Sequence, residues 1–298
     1  MQSTIVFISV LMSLKHLLLA AAYQPLKLGN ALMRQVSSHS GGRLRVLIYH
    51  DIARADETRF VAQLCWLRRS WRFITPASFT SMIAGDLPVT ADCLLLTFDD
   101  GFASNRRIAE TVLNPLGIKA LFFIVSEFAA LSPTADWRSF ICENISPGLQ
   151  PGAVPSHWRN MGWDDLAYLL ETGHSIGAHT ANHARLSQVP AADLVAEIIC
   201  SANVLERKLN TKIDHFAYTF GDLSSFSPSA LATARSRFKF IYTGLRGNNV
   251  GGVATWAIRR DGIAPSDSLS LVGALLEGGA DRYYAASLAT YESWGRGA

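Results

Sequence analysis

The chain has 298 residues, 49% hydrophobic and 17% charged, with a formal net charge of +3. That length and apolar content suit one domain of the α/β barrel size class with a large core. The mild charge, with no run of Lys and Arg, excludes a nucleic-acid groove. Cysteines at 65, 93, 142 and 200 form no C-x-x-C pair, and Cys93 and Cys200 sit in apolar segments, which favours buried free thiols over a disulfide framework.

At the N-terminus, Ile5 to Leu14 is apolar, Lys15-His16 interrupts, and Leu17 to Ala22 is apolar again. Ala20-Ala21-Ala22 has the small residues of a cleavage site, but no Lys or Arg precedes the apolar stretch as a signal peptide requires. As a membrane span the stretch is short and carries a central Lys. Lys27, Arg34, Arg43 and Arg45 follow, which for a true anchor would favour a cytoplasmic catalytic domain. Three readings stay open: export or anchoring, a membrane-surface or partner helix, and an ordinary helix packed on the domain. Membrane association through residues 1–22 is thus one expectation, with the cell envelope ahead of the cytoplasm.

After the polar stretch Ser37 to Gly42, strands and helices alternate. Val46-Leu47-Ile48-Tyr49 reads as a buried strand, and Phe60, Leu64 and Leu67 recur at helical spacing. Leu94 to Phe98 is a second strand, followed by a helix across Arg106 to Leu116. Ala120 to Val125 is a third strand, Trp163 to Glu171 a helix, and Ser175 to Ala178 a short strand. Leu194, Ile198, Leu205 and Leu209 mark one face of a long helix. Phe216 to Tyr218 and Phe240 to Tyr242 are further strands. Such alternation predicts a parallel sheet, open or closed into a barrel.

Between Ser132 and His157 lies a segment rich in Pro, Gly and Ser, and connections of that length in a compact domain are usually functional. Trp137, Trp158 and Trp163 lie in or just after it. Indole faces stack sugar rings, although core packing is the expected fate of Trp163, because it opens a helix.

Thr97-Phe98-Asp99-Asp100-Gly101 closes the second strand, and His179-Thr180-Ala181-Asn182-His183 follows the fourth. Alone, Asp-Asp-Gly fits a turn with an N-cap, and a His pair at i, i+4 is common. Together, at the carboxyl ends of strands where α/β folds place active sites, they point to chemistry. Adjacent buried carboxylates need a cation or a proton to neutralise one of them. Two His and one Asp leave coordination positions open, as in a catalytic metal site. Thr180 and Asn182 stand where they can add hydrogen bonds that fix ring orientation.

These segments resemble the polysaccharide deacetylase (NodB-like) family of carbohydrate esterases. The resemblance runs from about Arg45 to Gly262 and also includes Leu47-Ile48-Tyr49-His50 and Phe216-Ala217-Tyr218-Thr219-Phe220-Gly221. It implies a distorted (β/α)7-type barrel, a divalent metal, most often Zn2+, and removal of N- or O-acetyl groups from a glycan. Carried over residue by residue, it implies that Asp100, His179 and His183 hold the metal and Asp99 is the general base. It also makes the backbone N–H of Phe220 an oxyanion donor. Two departures stand out. The family's Arg-x-Pro-Tyr motif reads Ala217-Tyr218-Thr219-Phe220 here, so the Arg that orients the catalytic Asp must come from elsewhere, with Arg259 and Arg260 as candidates. The family's late Leu-x-His is absent, since no histidine follows His215; His50, ending the first strand, is then the candidate general acid, with a structural role as the alternative. His174 precedes its strand and reads as structural, while His16, His39, His157 and His215 carry no positional argument.

The expected organisation is a hydrophobic and polar extension over 1–43, a catalytic domain over 44–285 and a tail over 286–298. The expected function is metal-dependent removal of acetyl groups, N-linked ones first, from amino-sugar units of a polysaccharide or oligosaccharide. The rivals are the same chemistry on a non-sugar amide, and a non-catalytic glycan binder.

Overall fold

Six-residue runs such as Leu44–Tyr49 and Cys93–Phe98 are buried at every position, which requires cover on both faces, and a parallel sheet wrapped by helices supplies it. The computed structural model describes residues 14–36, 41–132 and 134–296; Ile5 to Ser13 and His39 lie outside them. Its strands are β1 (Leu44–Tyr49), β2 (Arg72–Phe73), β3 (Cys93–Phe98), β4 (Leu121–Ile124), β5 (Ser175–Ala178), β6 (His215–Ala217), β7 (Phe240–Tyr242) and β8 (Asp261–Gly262). Helices α1 (Tyr23–Val36), α2 (Glu57–Leu67), α3 (Pro76–Ala84), α4 (Ala103–Ile108), α5 (Trp163–Glu171), α6 (Ser201–Leu209), α7 (Pro228–Arg235), α8 (Leu269–Leu276) and α9 (Asp281–Arg296) pack around them.

The sheet runs β7-β6-β5-β4-β3-β1-β8, with β2 pairing to β3 and the ladders parallel. It curls until its edges meet: Ile258 bridges Tyr242, and three residues on, Asp261 and Gly262 pair with Leu47 and Ile48. The fold is therefore a distorted (β/α)-type barrel in a single domain. Strand periodicity then decides which side chains face inward. Leu44, Val46, Leu95, Leu121 and Phe123 form the inner cluster with Tyr242 and Ile258. Leu47, Leu96, Phe98 and Phe122 pack outward against Phe60 and Leu64 of α2 and the other helices. Continuing the inner parity past the strand ends reaches His50, Asp99 and His179, so the barrel's carboxyl rim receives the chemistry-bearing residues.

Several expected elements take a different form. The helix expected over Arg106 to Leu116 is α4 followed by a π-helical turn, Ala109–Leu113. The long helix marked by Leu194 to Leu209 likewise has a π turn, Ala196–Cys200, before α6. The Ser132–His157 segment is not structureless. It holds a helical turn at Trp137–Phe140 and a π turn at Ile141–Ile145. Its Trp137, Ile141, Ile145 and Val154 bury themselves against Phe102, Val125 and Phe128. A segment this long needs its own apolar seat, and that seat takes Trp137 away from any sugar. Trp163 packs against the main core with the Lys208 ammonium 5.7 Å from its ring, and Trp158 rests on Phe102 with ring centroids 5.3 Å apart.

All four cysteines are free thiols. Cys93 is buried, but Cys200 is exposed because it lies on the outer side of its helical turn. Position 285/286 falls inside α9, whose Leu288 and Tyr291 belong to the main core. Helix α1 lies along α8, with the Tyr23 ring over Gly273 and Asn30 Nδ2 donating to Glu277 at 2.8 Å.

Candidate functional site

Four strand ends and the segment leading into β8 meet at one small cavity of about 180 Å³, whose walls include His50, Asp99, Asp100, His179, His183, Phe220 and Arg260. One ligand atom from each of Asp100, His179 and His183 lies within 4.8 Å of the others, and all three residues are buried. Asp100 Oδ1 is 3.5 Å from His179 Nε2 and 3.3 Å from His183 Nε2.

Each imidazole is held by its other nitrogen. His179 Nδ1 bonds the Ala217 carbonyl at 2.8 Å, and His183 Nδ1 bonds the Asn144 carbonyl at 3.0 Å. A carbonyl only accepts, so Nδ1 carries a proton and Nε2 is the ring atom turned inward, free to ligate when the ring carries no second proton. Asp100 Oδ1 is buried yet has no hydrogen-bond partner among the described residues. Burial alone would raise the Asp100 pKa, but the two histidines and nearby His50 outweigh it and hold the carboxyl well below its usual range. Burial would lower the His183 pKa, but Asp100 outweighs it and the result is raised. A carboxylate oxygen facing two imidazole Nε2 atoms is a donor set that fits a borderline divalent cation such as zinc, whose binding would displace any second ring proton.

Asp99 stands beside this trio, its Oδ2 3.9 Å from His179 Nε2. Its other oxygen accepts from Arg260 Nη1 at 2.7 Å. Arg260 is 1% exposed; its Nε donates to the Thr243 carbonyl at 2.9 Å, and its guanidinium lies 5.0 Å from the centre of the Phe123 ring. Arg259 turns away and pairs with Glu292 at 3.0 Å. Only the arginine just before β8 reaches Asp99, because the parity that sends Arg260 inward sends Arg259 outward.

The backbone here is locally strained. Among the described residues five non-glycine residues have positive φ, and four of them, Asp100 (73°), Thr180 (64°), His183 (57°) and Phe220 (61°), belong to the two motifs and the turn after β6. Such conformations persist where surrounding structure over-determines them, and they gather at functional sites. Gly221, at φ 78°, follows Phe220, and a Cβ there would meet Gly244 Cα at 2.8 Å. Among the described residues the Phe220 N–H has no backbone carbonyl partner.

Thr180 and Asn182 do not orient the rings. Thr180 Oγ1 has no partner among the described residues, and Asn182 Nδ2 donates to Glu197 Oε1 at 2.8 Å. Glu197 Oε2 also accepts from the N–H groups of Ala181 and Asn182, so this carboxylate clamps the loop between the histidines. Main-chain carbonyls from β6 and from the long connection take the ring-orienting role, because the bend at positive φ points the Thr180 and Asn182 side chains elsewhere. Sequence reasoning missed Glu197 and Asn144; the length of the Ser132–His157 segment was the one signal of the second.

His50 lines the cavity at the end of β1, and its carbonyl accepts from Asn105 Nδ2 at 2.8 Å. His174 lies at the opposite end of the sheet. Its Nδ1 accepts from Ala120 N–H at 3.0 Å, its Nε2 faces Asn114 Oδ1 at 3.1 Å, and burial pushes its pKa down to about 4. His157 Nε2 and Trp158 Nε1 both reach Asp51 Oδ2, at 3.0 and 3.1 Å. His215 Nδ1 is 3.1 Å from the Tyr242 hydroxyl.

The family model described as polysaccharide deacetylase matches residues 86–236, about half of the chain. YxkH of Bacillus subtilis (strain 168) is 21% identical over 248 residues, covering 81% of this chain and 79% of that protein. Among solved structures, IcaB from Ammonifex degensii is 24% identical with a TM-score of 0.63, covering 80% of this chain and 98% of that one. The Streptococcus pyogenes deacetylase PplD, solved in complex with acetate, is 18% identical with a TM-score of 0.62, covering 78% and 97%.

Proposed function

This chain belongs to the polysaccharide deacetylase family, and from that premise we propose that it is a metal-dependent amidase releasing acetate from N-acetylated amino-sugar units of a polysaccharide or oligosaccharide. The observation that carries the proposal is one cavity in which Asp100, His179 and His183 converge while Asp99, held by Arg260, stands beside them unshared.

In this reading Asp100, His179 and His183 hold a divalent cation, Zn2+ being the one their donor set suits. When bound there, such an ion supplies Lewis acidity, which lowers the pKa of water and polarises an acetyl carbonyl. Asp99 accepts the proton of the attacking water, and Arg260 keeps its carboxylate in place. The Phe220 N–H donates to the oxygen that becomes negative as water adds to the carbonyl carbon. The C–N bond then breaks, and an amide anion is too basic to leave unprotonated. His50, on the cavity wall at the end of β1, donates that proton to the nitrogen. Acetate and a free amine leave, the water's elements divided between them.

At the rim Phe220 is 40% exposed, 4.7 Å from the His183 ring and beside the Arg185 guanidinium, where it would meet an incoming sugar. Acetate release from N-acetylglucosamine oligomers, from O-acetylated sugars and from acetylated peptides, each with and without chelator, tests the reading. Turnover of the oligomers that chelator abolishes and zinc restores is expected. Chelator-insensitive release, or acetylated peptides as the better substrates, would overturn it.

A further inference from the structure

Outside the catalytic rim, the N-terminal helix presents an unpartnered face. Residues 14–21 are helical and lead into α1, with the hydrogen-bond ladder carried across by Ala22 N–H to the Leu18 carbonyl and Leu26 N–H to the Ala22 carbonyl. Six large apolar side chains on this helix stand in solvent: Leu14, Leu17, Leu18, Leu28, Leu32 and Met33, from 51% exposed at Leu14 to 69% at Met33. At about 100° per residue, the five leucines fall within a stripe roughly 100° wide. The other side of the helix is occupied: Leu19 and Ala20 pack on the core, and Tyr23 meets Trp66. Leu17 and Leu18, at the edges of the stripe, border grooves walled by Leu271 and Tyr283, while Leu28 and Leu32 stand in solvent along its middle.

Charge identifies what covers it. The first acidic residue of the chain is Asp51, whereas Lys15, Lys27, Arg34, Arg43 and Arg45 precede it. Arg34, Arg43 and Arg45 pair with carboxylates of the barrel. Lys15 and Lys27 are exposed and have no ion-pair partner among the described residues. The sequence just before the helix, Ile5-Val6-Phe7-Ile8-Ser9-Val10-Leu11-Met12, continues the apolar character without a charge. Among the described residues no helix is long and apolar enough to cross a membrane. An apolar stripe on a helix that carries Lys15 and Lys27, the latter with its ammonium 5.7 Å from the Tyr23 ring, and no acidic side chain suits a helix lying in the plane of a bilayer surface. A second copy of the chain fits worse, because pairing two such helices brings lysines together with no acidic side chain on either to answer them.

We propose that residues 14–36 form an interfacial helix that docks the protein on an anionic lipid surface, with the leucine stripe in the headgroup and acyl boundary and Lys15 and Lys27 toward the anionic headgroups. The proposal extends past residue 22 and is independent of the reaction the cavity performs. The test is flotation of the full chain with phosphatidylcholine vesicles, with and without phosphatidylglycerol. The native chain should float with the anionic vesicles, less with the neutral ones and less at high salt. Leu28→Asp with Leu32→Asp should lower partitioning by about tenfold or more, the factor set by losing the transfer of one partly buried leucine. Leu87→Asp, at an exposed leucine elsewhere on the surface, should float as the native chain does. If the aspartates lower the melting temperature, Leu28→Ser with Leu32→Ser carries the comparison instead. Undiminished flotation of the double variant would place all binding in residues 1–13 and overturn the proposal. So would a native chain that ignores vesicles, or one whose stripe mediates a dimer.

Discussion

Replacing Arg260 with Met is the sharpest perturbation of the proposed mechanism. The guanidinium is 1% exposed, Asp99 is 3% exposed, and they meet at 2.7 Å. Methionine keeps the length of the stem and fills much of the space, so the main loss is the charge-assisted bond and the cation over Phe123. Breaking a buried pair from one side leaves an uncompensated charge and costs about 3–5 kcal/mol. For a large domain each kcal/mol moves the melting temperature by about 2–4 °C, so a fall of roughly 6–20 °C is expected. The free carboxylate also loses its orientation, and a displacement of about 1 Å in a reacting group costs on the order of 10²-fold in rate. Metal content should stay near that of the native chain, because Asp99 lies outside the ligand trio. Arg260→Lys keeps the charge but cannot bond Asp99 and the Thr243 carbonyl together, so it should fall between the two. Arg259→Met breaks a partly exposed pair with Glu292 worth about 1 kcal/mol and should leave the rate alone. The measurements are calorimetric melting, metal analysis and acetate release on the three variants. A native rate in Arg260→Met, or equal losses in Arg259→Met, would refute this account of Asp99.

Asp99→Asn keeps the shape and removes the proton acceptor, so turnover should fall by about 10²–10⁴-fold with metal retained; loss of metal instead would mean Asp99 and Asp100 have exchanged roles. His50→Ala should abolish cleavage of amides while sparing acetyl esters with good leaving groups, and equal loss on both would mark His50 as structural. Zinc added to the metal-free chain at about 100 times its dissociation constant should stabilise it by about 2.7 kcal/mol; a His183→Ala chain that gains as much would remove His183 from the ligand set. Burial holds His174 near 4 rather than 6.5, so the folded state binds fewer protons than the unfolded one between those values. Stability should therefore fall as pH drops through that window, by up to about 3 kcal/mol from this residue. His174→Gln, which keeps an acceptor for Ala120 N–H, should flatten the slope, and melting curves with unchanged pH dependence would sink the assignment.

Local pattern was enough to reveal Val46–Tyr49 and Leu94–Phe98, within the strands Leu44–Tyr49 and Cys93–Phe98, as well as the strand Phe240–Tyr242 and the helix Trp163–Glu171, because continuous apolar runs and 3.6-residue repeats report burial directly. The motifs Asp99-Asp100-Gly101 and His179 to His183 were legible for a related reason: residues at successive strand ends of a parallel fold share a rim wherever the strands lie in the sheet. The two-residue β8 carries no such pattern, yet it joins the sheet's edges and delivers Arg260 to Asp99. Sequence spacing left Arg259 and Arg260 equivalent, since the choice between them depends on which neighbour of a short strand points inward. Ring orientation was hidden in the same way. Carbonyls of Ala217 and Asn144, 38 and 39 residues from the histidines they hold, do that work, and a main-chain oxygen leaves no mark in the sequence. The exposed leucines of residues 14–36 illustrate the converse limit: the sequence shows them to be apolar, but only packing of the opposite side of the helix on the barrel shows which of them remain in solvent.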